Sequence, residues 1–282
     1  MPAPHTLSYV TAVAAVATSV LVVAPPAAEA RAGVHCGQAV KHSITLGRNL
    51  HNCRGDGLVV RASNITINLN GHTVDGSGRR SSAGIRIAGF HGVTVKGGVI
   101  RQFGKGILLL RADDDKILSN VVTGSFDEGI FTNETSERPL IQGNRISWSG
   151  TRHHAVDADA IDARGAGVRA LSNLVRHSND DGIDVGGSAT TIDGNNVASS
   201  GHDGIDIDSL GSTVQNNVSN SNGDDGIGVG RNARNVLVRN NVTNSNADLG
   251  IQPIAGTAID GGGNRASGNA DPRQCVRMSC TS

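Results

Sequence analysis

The chain has 282 residues, with 25 Lys plus Arg against 25 Asp plus Glu, 38 Gly, and only four Phe, one Tyr and one Trp. So few large aromatics exclude the usual aromatic-centred core, and the buried area must come from Ile, Val, Leu and Ala. From Arg31 to Phe126, 13 Lys plus Arg face 5 acids, whereas from Ala155 to Gly230 three Arg face 12 Asp; a chain basic at one end and acidic towards the other lacks the continuous basic face of a general nucleic-acid binder.

Residues 1–30 read as a signal peptide. An apolar run from Val10 to Ala24 is followed by the small-x-small site Ala28-Glu29-Ala30. The run is shorter than the roughly 20 residues of a membrane span, and no later segment is long and apolar enough to provide one. The exported part, residues 31–282, divides into an N-terminal cap (31–56), repeated coils (57–261) and a C-terminal cap (262–282). All four cysteines lie in it, where export makes disulfides their natural state. No CxxC metal spacing is present. Four cysteines allow three connectivities, and one staple at each end, Cys36 with Cys53 and Cys275 with Cys280, is the expected one.

The coils announce themselves through self-similarity. A small residue followed by Ile recurs at Ile85, Ile107, Ile130, Ile161, Ile183, Ile205, Ile227 and Ile251, with spacings of 22, 23, 31, 22, 22, 22 and 24. Alternation after each Ile, as in Ile183-Asp184-Val185, turns the Ile inward and its neighbour outward. A period near 22 is one coil of a parallel β-helix, so the isoleucines are expected to stack into a column about 4.8 Å per step. A second column, Asn120, Asn144, Asn173, Asn195, Asn216, Asn240 and Asn264, predicts an asparagine ladder at one turn. The expected fold is all-β: a right-handed single-stranded parallel β-helix of about ten coils with disulfide-stapled end caps.

These coils resemble those of the pectin lyase-like superfamily. The opening, from Cys36-Gly37 through Cys53 and Gly55-Asp56-Gly57-Leu58 to Ile67-Asn68-Leu69-Asn70-Gly71-His72-Thr73, is similar to that of many secreted bacterial β-helix repeat proteins. The resemblance implies the fold over nearly all of the exported chain; for activity it implies lyases, hydrolases, epimerases or no catalysis at all.

Three outward groups could carry chemistry. The first is acidic: Glu128, Asp159, Asp181, Asp203 and Asp225 stand two residues before each core Ile, and Asp162, Asp184 and Asp206 just after it. Carboxylates one coil apart cannot all ionise freely, so some are pushed up or a cation sits between them. Asp159, Asp181 and Asp203 would then suit calcium. The Asn179-Asp180-Asp181-Gly182 and Gly223-Asp224-Asp225-Gly226 segments resemble motifs of polygalacturonase-type hydrolases, and the resemblance makes Asp181, Asp203 and Asp225, with His202 beside them, the acid and base candidates. The Gly-His-Gly segment and Arg-x-Lys pair of those enzymes are absent. Asp-Gly also simply makes a tight turn, a reading that covers Asp181, Asp203 and Asp225 but leaves Asp184, Asp206 and Asp208 unexplained.

The second group is the long coil before Ile161, with Trp148, Arg152, His153, His154 and Asp157. Insertions on solenoids form loops where binding residues concentrate; Trp148 and Arg152, with Asp184 and Asp206, are substrate-binding candidates, and His153 and His154 proton-transfer candidates. The third is basic: Arg86, Lys105 and Arg111, conceivable as a lyase base with a charge-neutralising partner.

The reading is a secreted, monomeric, carbohydrate-active protein that binds an extracellular polysaccharide on its Asp-rich flank and cleaves it by hydrolase or lyase chemistry, with calcium the one cofactor the acids suggest. The alternative is a non-catalytic glycan-binding or envelope-associated module. A third class, periplasmic β-helix proteins of metal-enzyme maturation, calls for soft donors, and the chain has two Met.

Overall fold

A computed structural model describes residues 33–150 and 158–282, and every regular element among them is a β-strand. The strands fall into three parallel sheets running the length of the molecule. Sheet A has ten strands, from Gln38–Val40 to Ile251–Pro253; sheet B has ten, from Ile44–Thr45 to Ala258–Asp260; sheet C has eleven, from Leu50–Cys53 to Cys280–Thr281. Each coil contributes one strand to each sheet in the order A, B, C, which makes about ten coils.

Sheet A carries the isoleucine column as expected. Ile85, Ile107, Ile130, Ile161, Ile183, Ile205, Ile227 and Ile251 pair in unbroken register and are fully buried. Leu58 extends the column towards the N-terminus. Branched side chains worth roughly 1.5–3 kcal/mol each on burial can replace an aromatic core when they repeat this often; Phe103 is the one phenylalanine that is fully buried.

The asparagine ladder is present between sheets B and C, with two members corrected. It runs Asn120, Asn144, Asn173, Asn195, Asn217, Asn241 and Asn264, each donating its backbone N–H to Oδ1 of the next at 2.9–3.1 Å and its Nδ2–H to the same oxygen at 3.0–3.2 Å. Asn216 and Asn240 are instead left-handed turn residues, both at φ 55°. Where two asparagines are adjacent, the ladder takes the one that points inward. A second ladder at the corner between sheets C and A, from Ser200 through Asn222 and Asn246 to Asn269, was not foreseen. The disulfides are Cys36–Cys53 and Cys275–Cys280, as expected, and they staple the first and last coils.

Candidate functional site

The candidate site lies on the outward face of sheet A and the turn leading into it from sheet C. Residues just after the core Ile stack in the order Arg86, Leu108, Phe131, Asp162, Asp184, Asp206 and Gly228. Residues two before it form a second column beside the first, from Lys105 and Glu128 to Asp159, Asp181, Asp203 and Asp225. Sheet register alone therefore brings one stripe of carboxylates against another.

In the second column the aspartates form a ladder. Oδ1 of Asp159, Asp181, Asp203 and Asp225 accepts the backbone N–H of Asp181, Asp203, Asp225 and Leu249 in turn, at 2.7–2.9 Å. Turn chemistry thus explains one oxygen of each side chain. Asp203 Oδ2 faces the first column: a β-carbon at Gly228 would collide with it and sit 3.2 Å from Asp206 Oδ1, so glycine is what fits there. Donor atoms of Asp159, Asp162 and Asp184 lie within 4.8 Å of one another.

Crowding and burial separate these acids. Burial, then the charges of Asp184, Asp181 and neighbouring aspartates, push Asp159 up to about 9. Burial with Asp203, Asp206 and Asp180 nearby pushes Asp181 up to about 8. Asp225 rises to about 8, again chiefly by burial. Asp162, Asp184, Asp203 and Asp206 rise less, to about 6, with burial the main cause. Asp162, expected to stand outward and open, is fully buried beneath Arg164, whose guanidinium grips it at 2.8–3.0 Å.

His202 joins the acidic turn, with Nδ1 2.9 Å from Asp181 Oδ1 and Nε2 3.3 Å from Asp224 Oδ2. Burial works against its charged form, but Asp203, Asp181 and Asp224 outweigh it and push the ring up to about 9. The Asp181–His202 pair therefore keeps a dissociable proton at neutral pH.

The basic group is dispersed into ion pairs. Arg86 bonds Asp56 at 2.6 and 3.0 Å. Lys105 lies 2.7 Å from Asp127, bonds Glu128 as well, and sits over the Phe131 ring with Arg164 on the same ring. Arg111 is an exposed left-handed turn residue.

Of the long coil, Arg152, His153, His154 and Asp157 lie outside the described residues. Trp148 is 52% exposed and stacks on His177, with ring centroids 4.3 Å apart and planes at 23°. His177 escaped the sequence reading because it follows the irregular coil, where no fixed period connects it to Trp148. Ser178, Ser199 and Gly201 complete a shallow depression at this pair.

The fold and the stacked columns define a right-handed parallel β-helix of the pectin lyase-like kind. Residues 159–272 match the family described as right handed beta helix region, and residues 18–159 match that described as periplasmic copper-binding protein (NosD); by the extent of the latter match the chain belongs to the NosD family. No curated protein sequence matches significantly. Similar solved structures include an alginate lyase from Paenibacillus sp. str. FPU-7 (TM-score 0.56, 15% identity, 83% of this chain and 88% of that one) and the pectate lyase Pel9A (0.58, 14%, 87% and 66%). The periplasmic alginate epimerase AlgG is a third (0.54, 13%, 86% and 73%). At these identities the likeness is one of fold. Among the described residues no helix is long and apolar enough to cross a membrane.

Proposed function

We propose that the chain is an exported, carbohydrate-active β-helix protein that binds a neutral polysaccharide along sheet A and hydrolyses it with Asp181 and Asp206. The observation that carries this reading is geometric: Asp181 Oδ1 lies 2.9 Å from His202 Nδ1, and Asp206 stands in the neighbouring column of sheet A, with burial and crowding pushing Asp181 up to about 8 and Asp206 to about 6. At neutral pH one is an acid and the other a base, the division of labour that glycoside hydrolysis requires. Asp181 gives its proton to the glycosidic oxygen as the bond to the anomeric carbon breaks. Asp206 takes a proton from the attacking water, whose oxygen bonds that carbon; Asp206 then releases that proton to solvent and Asp181 regains one, which restores the start.

Three similar structures are an alginate lyase, an alginate epimerase and a pectate lyase, which supports a glycan as ligand. Hydrolysis is favoured over elimination because Lys105, the lyase-base candidate, is engaged by Asp127 and Glu128. An acidic flank favours a neutral chain over a uronate unless calcium bridges the two. Disulfides at both ends and the periplasmic family description support export, to the periplasm or beyond.

Copper, named in the family description, does not fit these donors. Among the described residues no cysteine is free, Met278 packs against the core, and the only histidine in a three-donor group is His202, among carboxylates. Such oxygen-rich sets suit hard cations rather than copper.

The test is incubation of the exported chain with neutral and uronate polysaccharides, with calcium or with chelator, reading new reducing ends and unsaturated uronate. New reducing ends on a neutral glycan, abolished by Asp181→Asn and by Asp206→Asn with binding retained, are expected. Binding without any product, in wild type and both variants, would leave the aspartates as turn ladders and the chain as a glycan-binding module.

A further inference from the structure

The last residue before each turn from sheet C into sheet A forms a column in strand register: Gln102, Gly124, Trp148, His177, Ser199, Ser221, Ser245 and Gly268. Every member has a left-handed backbone, with φ between 57° and 66°. Small residues suit that conformation at five of the eight positions. Trp148, at φ 58°, is a bulky side chain where bulk is disfavoured, and more than half of it faces solvent. Backbone preference does not account for an indole there, and strained, exposed residues of this kind cluster at ligand sites.

The neighbours give the platform its direction. Trp148 and His177 are near-parallel rings stacked from coil to coil, so their planes lie across the rod axis and His177 covers one indole face. The other face looks towards the preceding coil, where the register position is Gly124. A β-carbon there would meet nothing within 4 Å. One coil spacing, about 4.8 Å, is the room a flat ring needs to stack. Asp181 follows His177 by four residues, so the slot adjoins the proposed acid, and the other carboxylates of this flank disfavour an anionic ring.

We propose that Trp148, backed by His177 and left uncovered by Gly124, is a stacking subsite for a neutral pyranose ring. The inference rests on the glycan reading above and adds the subsite at which a ring stacks. A neutral pyranose ring offers C–H faces to the indole, while the half-buried Ser199 rims the depression beside it.

Trp148 is the chain's single tryptophan, so its emission reports on this slot alone. The experiment titrates the exported chain with cellohexaose, laminarihexaose and polygalacturonate while following that emission, and repeats it with calorimetry on Trp148→Ala, His177→Ser and Gly124→Asn. A saturable emission change with a neutral hexaose, absent with polygalacturonate, and affinity at least tenfold weaker in Trp148→Ala and Gly124→Asn are expected. No emission change with either hexaose, or unaltered affinity in Trp148→Ala, overturns the subsite. Gly124→Asn keeps a residue type that accepts left-handed backbone and fills open space, so it tests the slot without demanding a cavity. Binding that needs Trp148 but no cleavage would sink the hydrolase and keep the subsite; cleavage that needs Asp181 but not Trp148 would do the reverse.

Discussion

At the scale of single residues, the acids of sheet A make a claim about pH. If Asp206 must be ionised and Asp181 protonated, kcat/KM on a neutral glycan should rise as pH passes about 6 and fall as it passes about 8. Asp206→Asn should remove the acidic limb along with nearly all activity, a drop of a hundredfold or more; a profile whose acidic limb survives in that variant would place the base elsewhere. A different aspartate makes a claim about stability. Asp115 is fully buried, accepts the Val93 N–H at 2.7 Å through Oδ1, and its Oδ2 has no hydrogen-bond partner. Burial, then Asp113 and Asp114, push it up to about 7. The folded state therefore holds a proton that the unfolded chain releases near 3.8, and stability falls as pH rises from about 4 to about 7, then levels. Asp115→Asn keeps an acceptor for Val93 without the charge. It should be more stable than wild type at pH 8, by about 1–3 kcal/mol, and no more stable at pH 4, as read by thermal unfolding; parallel pH curves would refute the assignment.

At the scale of elements, the ladders show what a sequence reveals and where it stops. Period, alternation and the small-Ile pairs were enough for sheet A, because each Ile is identified by its own chemistry. The ladder between sheets B and C was legible at Asn120, Asn144, Asn173, Asn195 and Asn264 and misplaced by one residue at the other two coils. At Asn216-Asn217 and Asn240-Asn241 composition cannot choose, since asparagine suits both the buried amide stack and the left-handed turn. The second ladder begins in serine and changes to asparagine at Asn222, so no one residue type marked it. Asn217→Ala should then cost about 1–3 kcal/mol, because it strips Asn195 of its N–H and Nδ2–H acceptor in a buried stack. Asn216→Gly should be within about 0.5 kcal/mol of wild type, since glycine accepts the left-handed backbone and the lost bond to Asp193 is exposed. Chemical denaturation of the two variants separates them, and equal losses would contradict the corrected register. The candidate site was half legible for the same reason: Asp181, Asp203 and His202 belong to regular coils, whereas the Trp148–His177 stack crosses the one irregular coil.

At the scale of the whole molecule, one continuous core runs from Val34 to Ile251, and each coil along it is held mainly by its two neighbours. The end coils have one neighbour each, so their stability must come from elsewhere. The two disulfides meet that need at the two places where the deficit falls, Cys36–Cys53 spanning 17 residues and Cys275–Cys280 spanning 5. Loop-closure entropy makes the first worth roughly 3 kcal/mol and the second roughly 2. In a linear array those losses should stay local. Replacing Cys36 and Cys53 by serine should raise hydrogen exchange in Gln38–Val40 and Leu58–Val60 while leaving Ile183–Val185 in the rod's middle at wild-type protection. Replacing Cys275 and Cys280 should expose Asn264–Ser267 and Ile251–Pro253 in the same one-sided way, through Ile251, which bridges Cys275 directly. The acidic flank lies between these ends, so either double variant should keep the Asp181-dependent activity at temperatures where its terminal coil is already open. Loss of protection spreading evenly along all three sheets would instead show that the coils unfold as one unit and that the staples act on the whole rod.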